Sequence, residues 1–314
     1  CVVEDTLAAL QRLALARRRA FGGMVAAVTG SNGKTIVKEW IYQCLRDLVR
    51  IYRSPKSYNS QVGVPISVWM IRDSDEVAVL EAGISRPGEM QRLQKTVRPQ
   101  VGLFTNLGTA HQENFRDLKE KLAEKLILFT GCEKVICRSD TAVENRPLKE
   151  YFSERGIPVV DWSLTGPSMY RYAIRKRRSS HTELTVSCPG GQHSFNLPFS
   201  DEASIENALH TLTFILETGI PLPLAVQRIG AIEPVSMRLE MLKGILGSVL
   251  INDAYNADIG GLSSALDLLN QQDRKKGRVL ILSDLLQSGM QEQELYDEIS
   301  RLIDQKGTDQ DRKS

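Results

Sequence analysis

Met24-Val25-Ala26-Ala27-Val28-Thr29-Gly30-Ser31-Asn32-Gly33-Lys34-Thr35 joins a short apolar strand to a helix through a glycine-rich turn, and its reading decides the fold. The strand covers Met24 to Val28; from about Thr35 the apolar residues Val37, Ile41, Cys44, Leu45 and Leu48 recur at helical spacing. Strand, tight turn and helix in that order predict the opening of a βαβ unit. At such a turn, successive backbone N–H groups and the helix N-terminus can surround a phosphate. Gly30 and Gly33 permit close backbone approach, with Ser31 and Asn32 between them. Lys34 can reach the β and γ phosphates of a nucleotide, and the Thr35 hydroxyl can ligate Mg2+. The strict G-x-x-x-x-G-K-T pattern is not met, because its first position is Val28. A bare Gly-Lys-Thr arises by chance, but the flanking strand and helix and the paired glycines raise a nucleotide site above an ordinary βα turn. Hydrolysis and synthesis stay undecided at this point.

Beyond this helix, strand-like runs follow at Val77–Leu80, Val101–Thr105 and Val135–Cys137, separated by helical stretches at Gly88–Val97 and Leu118–Phe129. This alternation predicts an α/β fold: a P-loop-type, mostly parallel sheet flanked by helices. Between Tyr170 and Leu197 polar and apolar residues alternate about the turn Pro189-Gly190-Gly191, which predicts an antiparallel hairpin extension. The basic run Arg175-Lys176-Arg177-Arg178 reads as a solvated part of that hairpin. A helix is expected from about Ala203 to Glu217, burying Ile205, Leu209, Leu212 and Ile215, and a short one after Pro221 and Pro223. A domain boundary is placed at Glu233-Pro234, giving units of 1–235 and 236–314. The second unit is expected to be a partial Rossmann-like α/β domain, with a strand at Val249–Asp253, a helix at Leu262–Leu269 and a strand at Val279–Ser283. Lys306 to Ser314 reads as disordered. The first twenty residues, with Leu7, Leu10, Leu13 and Leu15 among arginines, read as an amphipathic helix entered within a longer polypeptide.

With 314 residues, 42% hydrophobic and 25% charged, the chain can build two cores. Forty basic against thirty-eight acidic side chains leave +2, which gives no electrostatic case for nucleic acid or an anionic membrane. The five cysteines form no C-x-x-C pair and read as reduced thiols. No stretch approaches the roughly 20 apolar residues of a membrane-spanning helix, and the cytoplasm is the expected location. Trp40, Trp69 and Trp162 read as packing residues, and His181, His193 and His210 as structural or exposed.

The phosphate turn Thr-Gly-Ser-Asn-Gly-Lys-Thr resembles the shortened P-loop of the Mur ligases and the related folylpolyglutamate synthetases, and further matches follow in order. Glu81-Ala82-Gly83 resembles the Mg2+-binding glutamate segment. Thr105-Asn106-Leu107-Gly108-Thr109-Ala110-His111 resembles the T-N-x-x-x-x-H segment. Lys125 stands where the family carries a carbamylated lysine. Asn207 resembles the adenine-contacting asparagine, Arg238 an ATP-contacting arginine and Asp253 a ribose-side aspartate. Ser57 to Pro65, with Tyr58, Asn59 and Ser60, looks like the substrate-facing loop of the branch that adds D-alanyl-D-alanine to the UDP-linked muramoyl tripeptide. Tyr255-Asn256 agrees with that branch. Arg53 to Lys56 and Leu282-Ser283-Asp284 resemble versions fused to an alanine racemase, which would bring pyridoxal phosphate outside this chain. The resemblance implies central and partial carboxyl-terminal Mur ligase domains, with the amino-terminal UDP-sugar domain absent and the fragment inactive alone.

The implied chemistry is ATP-dependent amide ligation through an acyl phosphate, with small-molecule substrates, no nucleic acid and no membrane insertion. Lys34 and Mg2+ would neutralise the gathering charge, with Thr35 and Glu81 on one metal and His111 and carbamylated Lys125 at the other. Each residue also has an ordinary reading: Glu81 as a surface carboxylate or cap, His111 as a structural histidine and Lys125 as a solvated lysine. Asn207 could be a packing or capping residue, and Arg238 the ion-pair partner of Glu240 or Asp253. The rivals are a folylpolyglutamate synthetase-type ligase, lacking the Tyr58–Pro65 loop, and a non-catalytic nucleotide-binding module.

Overall fold

A computed structural model describes residues 2–108, 112–141, 145–178, 180–255, 258–272, 277–285 and 290–306. The expected βαβ opening is present: β1 (Met24–Thr29) runs straight into the phosphate turn, and α2 (Lys34–Leu45) leaves it. Before them lies α1 (Thr6–Ala20), capped by the Asp5 side chain, which accepts from Ala8 N. After α2 come β2 (Ile51–Arg53), α3 (Gly63–Trp69), β3 (Val77–Glu81), α4 (Glu89–Val97) and β4 (Val101–Phe104). Then follow α5 (Leu118–Leu126), which tightens into a 3-10 turn at Ile127–Phe129, β5 (Lys134–Arg138), α6 (Asn145–Glu154) and β6 (Val159–Ser163).

The sheet has the order β2-β3-β1-β4-β5-β6 and then β7 (Tyr170–Arg177), β8 (Thr182–Cys188) and β9 (Gly191–Leu197). Pairing is parallel from β2 through β7, and β8 and β9 are antiparallel, so the expected hairpin is a three-stranded antiparallel extension. Arg175 to Arg178 lie exposed at its far end. Strand order reverses at β1, whose neighbours are β3 and β4, and a crevice therefore opens at its carboxyl end. Register places Val28 opposite Glu81 and Thr29 opposite Phe104, bringing the carboxyl ends of β1, β3 and β4 to one level.

The period of two along β1 sends Ala26 and Val28 into one core and Val25 and Ala27 into the other. On the first face lie α2, α7 (Glu202–Glu217) and α8 (Leu222–Ile229); on the second lie α1, α3, α4 and α5. α7 is buried on nearly every side, beyond the expected stripe of Ile205, Leu209, Leu212 and Ile215, because the sheet, α2 and α8 all pack on it. Trp40 and Trp162 are core residues as expected, whereas Trp69, the last residue of α3, is 55% exposed beside the exposed Met70.

Beyond α8, β10 (Glu240–Lys243) and β11 (Val249–Asn252) form an antiparallel ribbon, and α9 (Ile259–Asn270) and α10 (Glu292–Gln305) share a small core of Leu262, Leu266, Leu285, Leu295 and Ile299. The expected strand at Val279–Ser283 is irregular chain. No described strand lies beside it to complete a ladder, and Val279 and Ile281 are 80% and 89% exposed. Lys306 is ordered at the end of α10, where it ion-pairs with Asp267; residues 307–314 lie outside the described residues. Cys44, Cys132 and Cys137 are buried, and none of them is in a disulfide. No described helix is long and apolar enough to cross a membrane.

Candidate functional site

The phosphate turn can hold only glycine at two positions. Gly30 has φ +149° and Gly33, the N-cap of α2, φ +81°. A Cβ on Gly30 would stand 1.9 Å from Thr105 Oγ1, and one on Gly33 2.1 Å from Asn207 Oδ1. The chain after β4 braces the turn from the side. Ser31 N donates to Asn106 O at 2.8 Å, Asn32 N to Asn106 Oδ1 at 3.0 Å, and Thr105 Oγ1 to Asn32 O at 2.6 Å. α2 begins without a side-chain cap, leaving its first-turn N–H groups available to an anion at the positive end of the helix. Lys34 folds over the turn and donates to Gly30 O at 3.0 Å and Ser31 O at 2.8 Å. Burial holds its ammonium below the usual lysine range, against the opposing pull of Glu81.

Glu81 ends β3 with its side chain fully enclosed. Thr35 Oγ1 donates to Oε2 at 3.0 Å, Asn59 Nδ2 approaches Oε2 at 3.4 Å, and Lys38 Nζ ion-pairs with Oε1 at 3.0 Å. A surface carboxylate or helix cap is thereby excluded. Lys125 is likewise buried, not solvated, and its Nζ donates to Gly30 O at 3.0 Å. Burial, then the charges of Lys34 and Lys121, push it well below the ordinary lysine range. A cavity of about 250 Å³ opens here, lined by Gly30, Ser31, Lys34, Lys125, Asn59, Ser60 and Gly83 among others. Among the described residues no three His, Cys, Asp or Glu side chains converge. The oxygens of Thr35 and Glu81 suit Mg2+, which is commonly held by one or two protein oxygens together with substrate phosphates.

Asn207 is buried on α7 against Gly33. Arg238 reaches Ser57 Oγ at 3.4 Å and lies over the Tyr255 ring at 4.0 Å, between two residues with left-handed backbone, Met237 and Leu239. Asp253 accepts from Leu239 N at 3.1 Å, and burial raises its carboxyl to about 6. Thus Gly30 to Thr35, Asn59, Ser60, Glu81, Lys125, Asn207 and Arg238 come together, while Asp253 braces the segment that carries Arg238. Tyr58 is 39% exposed and is not part of the cavity wall. His111 lies outside the described residues.

Sequence reasoning missed several neighbours. Lys38 occupies the apolar side of α2, one residue past Val37, and that placement was the available signal. Lys121 is buried one turn before Lys125, donates to Gly108 O at 2.6 Å and titrates near 8 through burial. Asp258 caps α9 through Gly261 N at 2.7 Å, and its charge acts on Lys34 and Lys121. His210 accepts from Trp162 Nε1 at 3.1 Å and meets Thr105 O with Nε2 at 3.0 Å, so the neutral ring braces the segment that braces the phosphate turn. Burial holds its pKa down to about 3.

The fold and site define a parallel α/β domain with a phosphate-binding type of turn at its topological switch point and buried lysines and a carboxylate around it. The Mur ligase middle domain profile matches residues 28–215, more than half of the chain, and the chain belongs to that family. It is 28% identical over 96% of its length to the UDP-N-acetylmuramoyl-tripeptide--D-alanyl-D-alanine ligase of Bacillus subtilis, of which it spans 65%. The MurF crystal structure from Acinetobacter baumannii superposes with a TM-score of 0.84 at 25% identity, covering 97% of this chain and 66% of that one. The Thermotoga maritima MurF structure, a complex with ADP, shares the fold with a TM-score of 0.81 at 20% identity, covering 96% and 69%.

Proposed function

We propose that this chain is the nucleotide-binding and phosphoryl-transfer part of an ATP-dependent ligase that adds D-alanyl-D-alanine to UDP-N-acetylmuramoyl-tripeptide in peptidoglycan synthesis, a cytoplasmic step. Residues 1–235 form the central domain and 236–314 part of the carboxyl-terminal one. The observation that carries the reading is the enclosed Glu81, one oxygen held by Lys38 and the other by Thr35, at the mouth of the phosphate turn. The similarity to the B. subtilis ligase along 96% of the chain supports the choice of substrate.

In this reading the α2 N-terminus and Lys34 hold the β and γ phosphates of ATP, Asn207 lies on the adenine side, Arg238 contacts the nucleotide and Asp253 faces the ribose. Thr35 and Glu81 would hold Mg2+, with His111 and carbamylated Lys125 at a second Mg2+; the metal supplies charge neutralisation at the transferring phosphoryl group. Asn59 and Ser60 face the tripeptide carboxylate, whose oxygen attacks the γ phosphorus while ADP leaves. The amine of D-alanyl-D-alanine then attacks the acyl phosphate and phosphate departs. Lys34 and the loop amides stabilise the growing negative charge in both steps.

The test is phosphate release by the parent protein with ATP, Mg2+ and UDP-muramoyl tripeptide, with and without D-alanyl-D-alanine. Release that needs both peptide substrates supports the assignment; release with folate and glutamate, or with neither pair, overturns it. The 314-residue chain alone is expected to bind nucleotide weakly and to ligate nothing.

A further inference from the structure

Lys38 follows Lys34 by one turn of α2, yet its side chain is 0% exposed. Its ammonium is surrounded by oxygen: Glu81 Oε1 at 3.0 Å, Glu39 Oε1 at 3.2 Å, Ser54 O at 2.8 Å and Lys56 O. Two of these acceptors are main-chain carbonyls of the loop after β2, so the lysine does more than balance a buried carboxylate. Lys56 adopts φ +47°, an uncommon conformation for a residue with a Cβ, and its carbonyl turns onto the ammonium. Glu39 also pairs with Arg53 at 2.7 Å, and Arg53 lies over the Tyr42 ring at 3.6 Å, so one face of α2 grips the start of the loop.

The same loop returns to Glu81 by a second route. Gly83 N donates to Asn59 O at 2.8 Å, Asn59 Nδ2 approaches Glu81 Oε2 at 3.4 Å, and Ser57 Oγ lies 3.0 Å from Thr35 Oγ1. With Oε1 fixed by Lys38, the carboxylate can rotate only by breaking the ion pair, and Oε2 stays turned toward Thr35. A buried cation that satisfies two loop carbonyls cannot be withdrawn without leaving them, and Glu81, unpaired.

We infer that Lys38 is a positioning residue that ties the phosphate helix, the Glu81 carboxylate and the substrate-facing loop 54–60 into one mechanical unit, so that occupancy of the phosphate site and order in the loop rise together. The inference rests on the function proposed above for Glu81 and for the loop. If Lys38 acted only as a counter-charge, neutralising Glu81 as well would restore the loop; if it is the anchor, the loop stays released.

The experiment uses trypsin, because the Lys56 side chain is exposed and the Lys56–Ser57 bond lies within the anchored loop. The cut at that bond is timed by mass spectrometry in the unaltered chain, in Lys38→Met and in Lys38→Met combined with Glu81→Gln, the double variant keeping the buried charge balanced and checked for folding by circular dichroism. The expected result is a cut about tenfold faster in both variants, as local opening becomes easier. Mg·ADP is expected to slow the cut in the unaltered chain and to have no effect in Lys38→Met. Equal cutting rates in all three proteins, with protection by Mg·ADP intact, would overturn the role of Lys38 while leaving the nucleotide site standing. Mg·ADP is used at a concentration that calorimetric titration shows to saturate the chain: cutting of the saturated, unaltered chain that ignores the nucleotide would overturn the coupling alone, and a titration without binding would overturn the nucleotide reading.

Discussion

The ammonium nitrogens of Lys34 and Lys125 both donate to the carbonyl oxygen of Gly30, each at 3.0 Å. Two full positive charges on one carbonyl repel, and burial adds to the cost of keeping both. Burial, and then the charges of Lys34 and Lys121, drive Lys125 well below the ordinary lysine range, which favours its neutral amine form. A neutral amine attacks carbon dioxide, giving a carbamate and a released proton. A carbamate on Lys125, as proposed above, would be an anion between Lys34 and Lys121 and would convert mutual repulsion into attraction.

Carbon-13 bicarbonate is therefore expected to add a carbamate carbon signal to the NMR spectrum of the chain, absent from Lys125→Ala. Ligation by the parent enzyme is expected to fall by roughly 100-fold or more in that variant. A labelled signal that survives Lys125→Ala would place the carbamate elsewhere.

Lys34→Ala removes the side chain that folds over the phosphate turn onto Gly30 O and Ser31 O. Phosphate release by the parent enzyme should drop by about 100- to 1000-fold, with Mg·ADP affinity of the chain falling alongside. Unchanged release would show that Lys34 does not touch the transferred group.

Gly33→Ala combines a left-handed backbone, φ +81°, with a Cβ 2.1 Å from Asn207 Oδ1. The conformational cost alone is about 1 to 2 kcal/mol, and α7 or the turn must also shift. Calorimetric titration is expected to show at least tenfold weaker Mg·ADP binding, and a lower melting temperature. Wild-type affinity would mean that the turn rearranges freely, contrary to the bracing by Asn106 and Thr105.

His210 titrates near 3 in the fold against 6.5 for the free side chain. Between these values the unfolded chain holds one more proton than the folded one, so this histidine's contribution is complete above about pH 6.5 and is lost as pH falls toward 3, at about 1.4 kcal/mol per pH unit. Asp253, raised to about 6 by burial, acts in the opposite sense: its protonated carboxyl favours the fold at low pH, and that contribution is lost as pH rises through 6. Comparison with His210→Gln isolates the histidine. Urea midpoints of the variant should fall less steeply than those of the unaltered chain between pH 6.5 and 4, and parallel curves would refute the neutral buried ring.

Much of the sheet was legible because its signals are local. β1, β3, β4 and β5 are buried on both faces and read as short continuous apolar runs, and glycine marks the turn between β1 and α2. Val279–Ser283 carries the same apolar signal, but a strand exists only where a neighbour completes its ladder, and sequence periodicity does not report neighbours. The site divides in the same way. Gly30 to Thr35 and Glu81 stand in short motifs, whereas Lys38 gains its meaning from Ser54, Lys56 and Glu81, and His210 from Thr105, 105 positions away. Lys121 and Lys125 look like ordinary lysines of an amphipathic helix until the helix is packed against the phosphate turn.

The sheet never closes on itself, so it has two rims, and neither offers a template for lateral strand addition. At one rim β2 is only three residues long, with Arg53 committed to Glu39. At the other, β9 opens with exposed Gly191, Gln192, His193 and Ser194 before Phe195 turns inward. A foreign strand docking there would meet polar side chains in place of an apolar row. The antiparallel extension thus separates two demands on one sheet: the parallel centre stays apolar enough to support a rigid phosphate turn, while the rim stays hydrophilic enough to keep neighbouring molecules apart in a crowded solution.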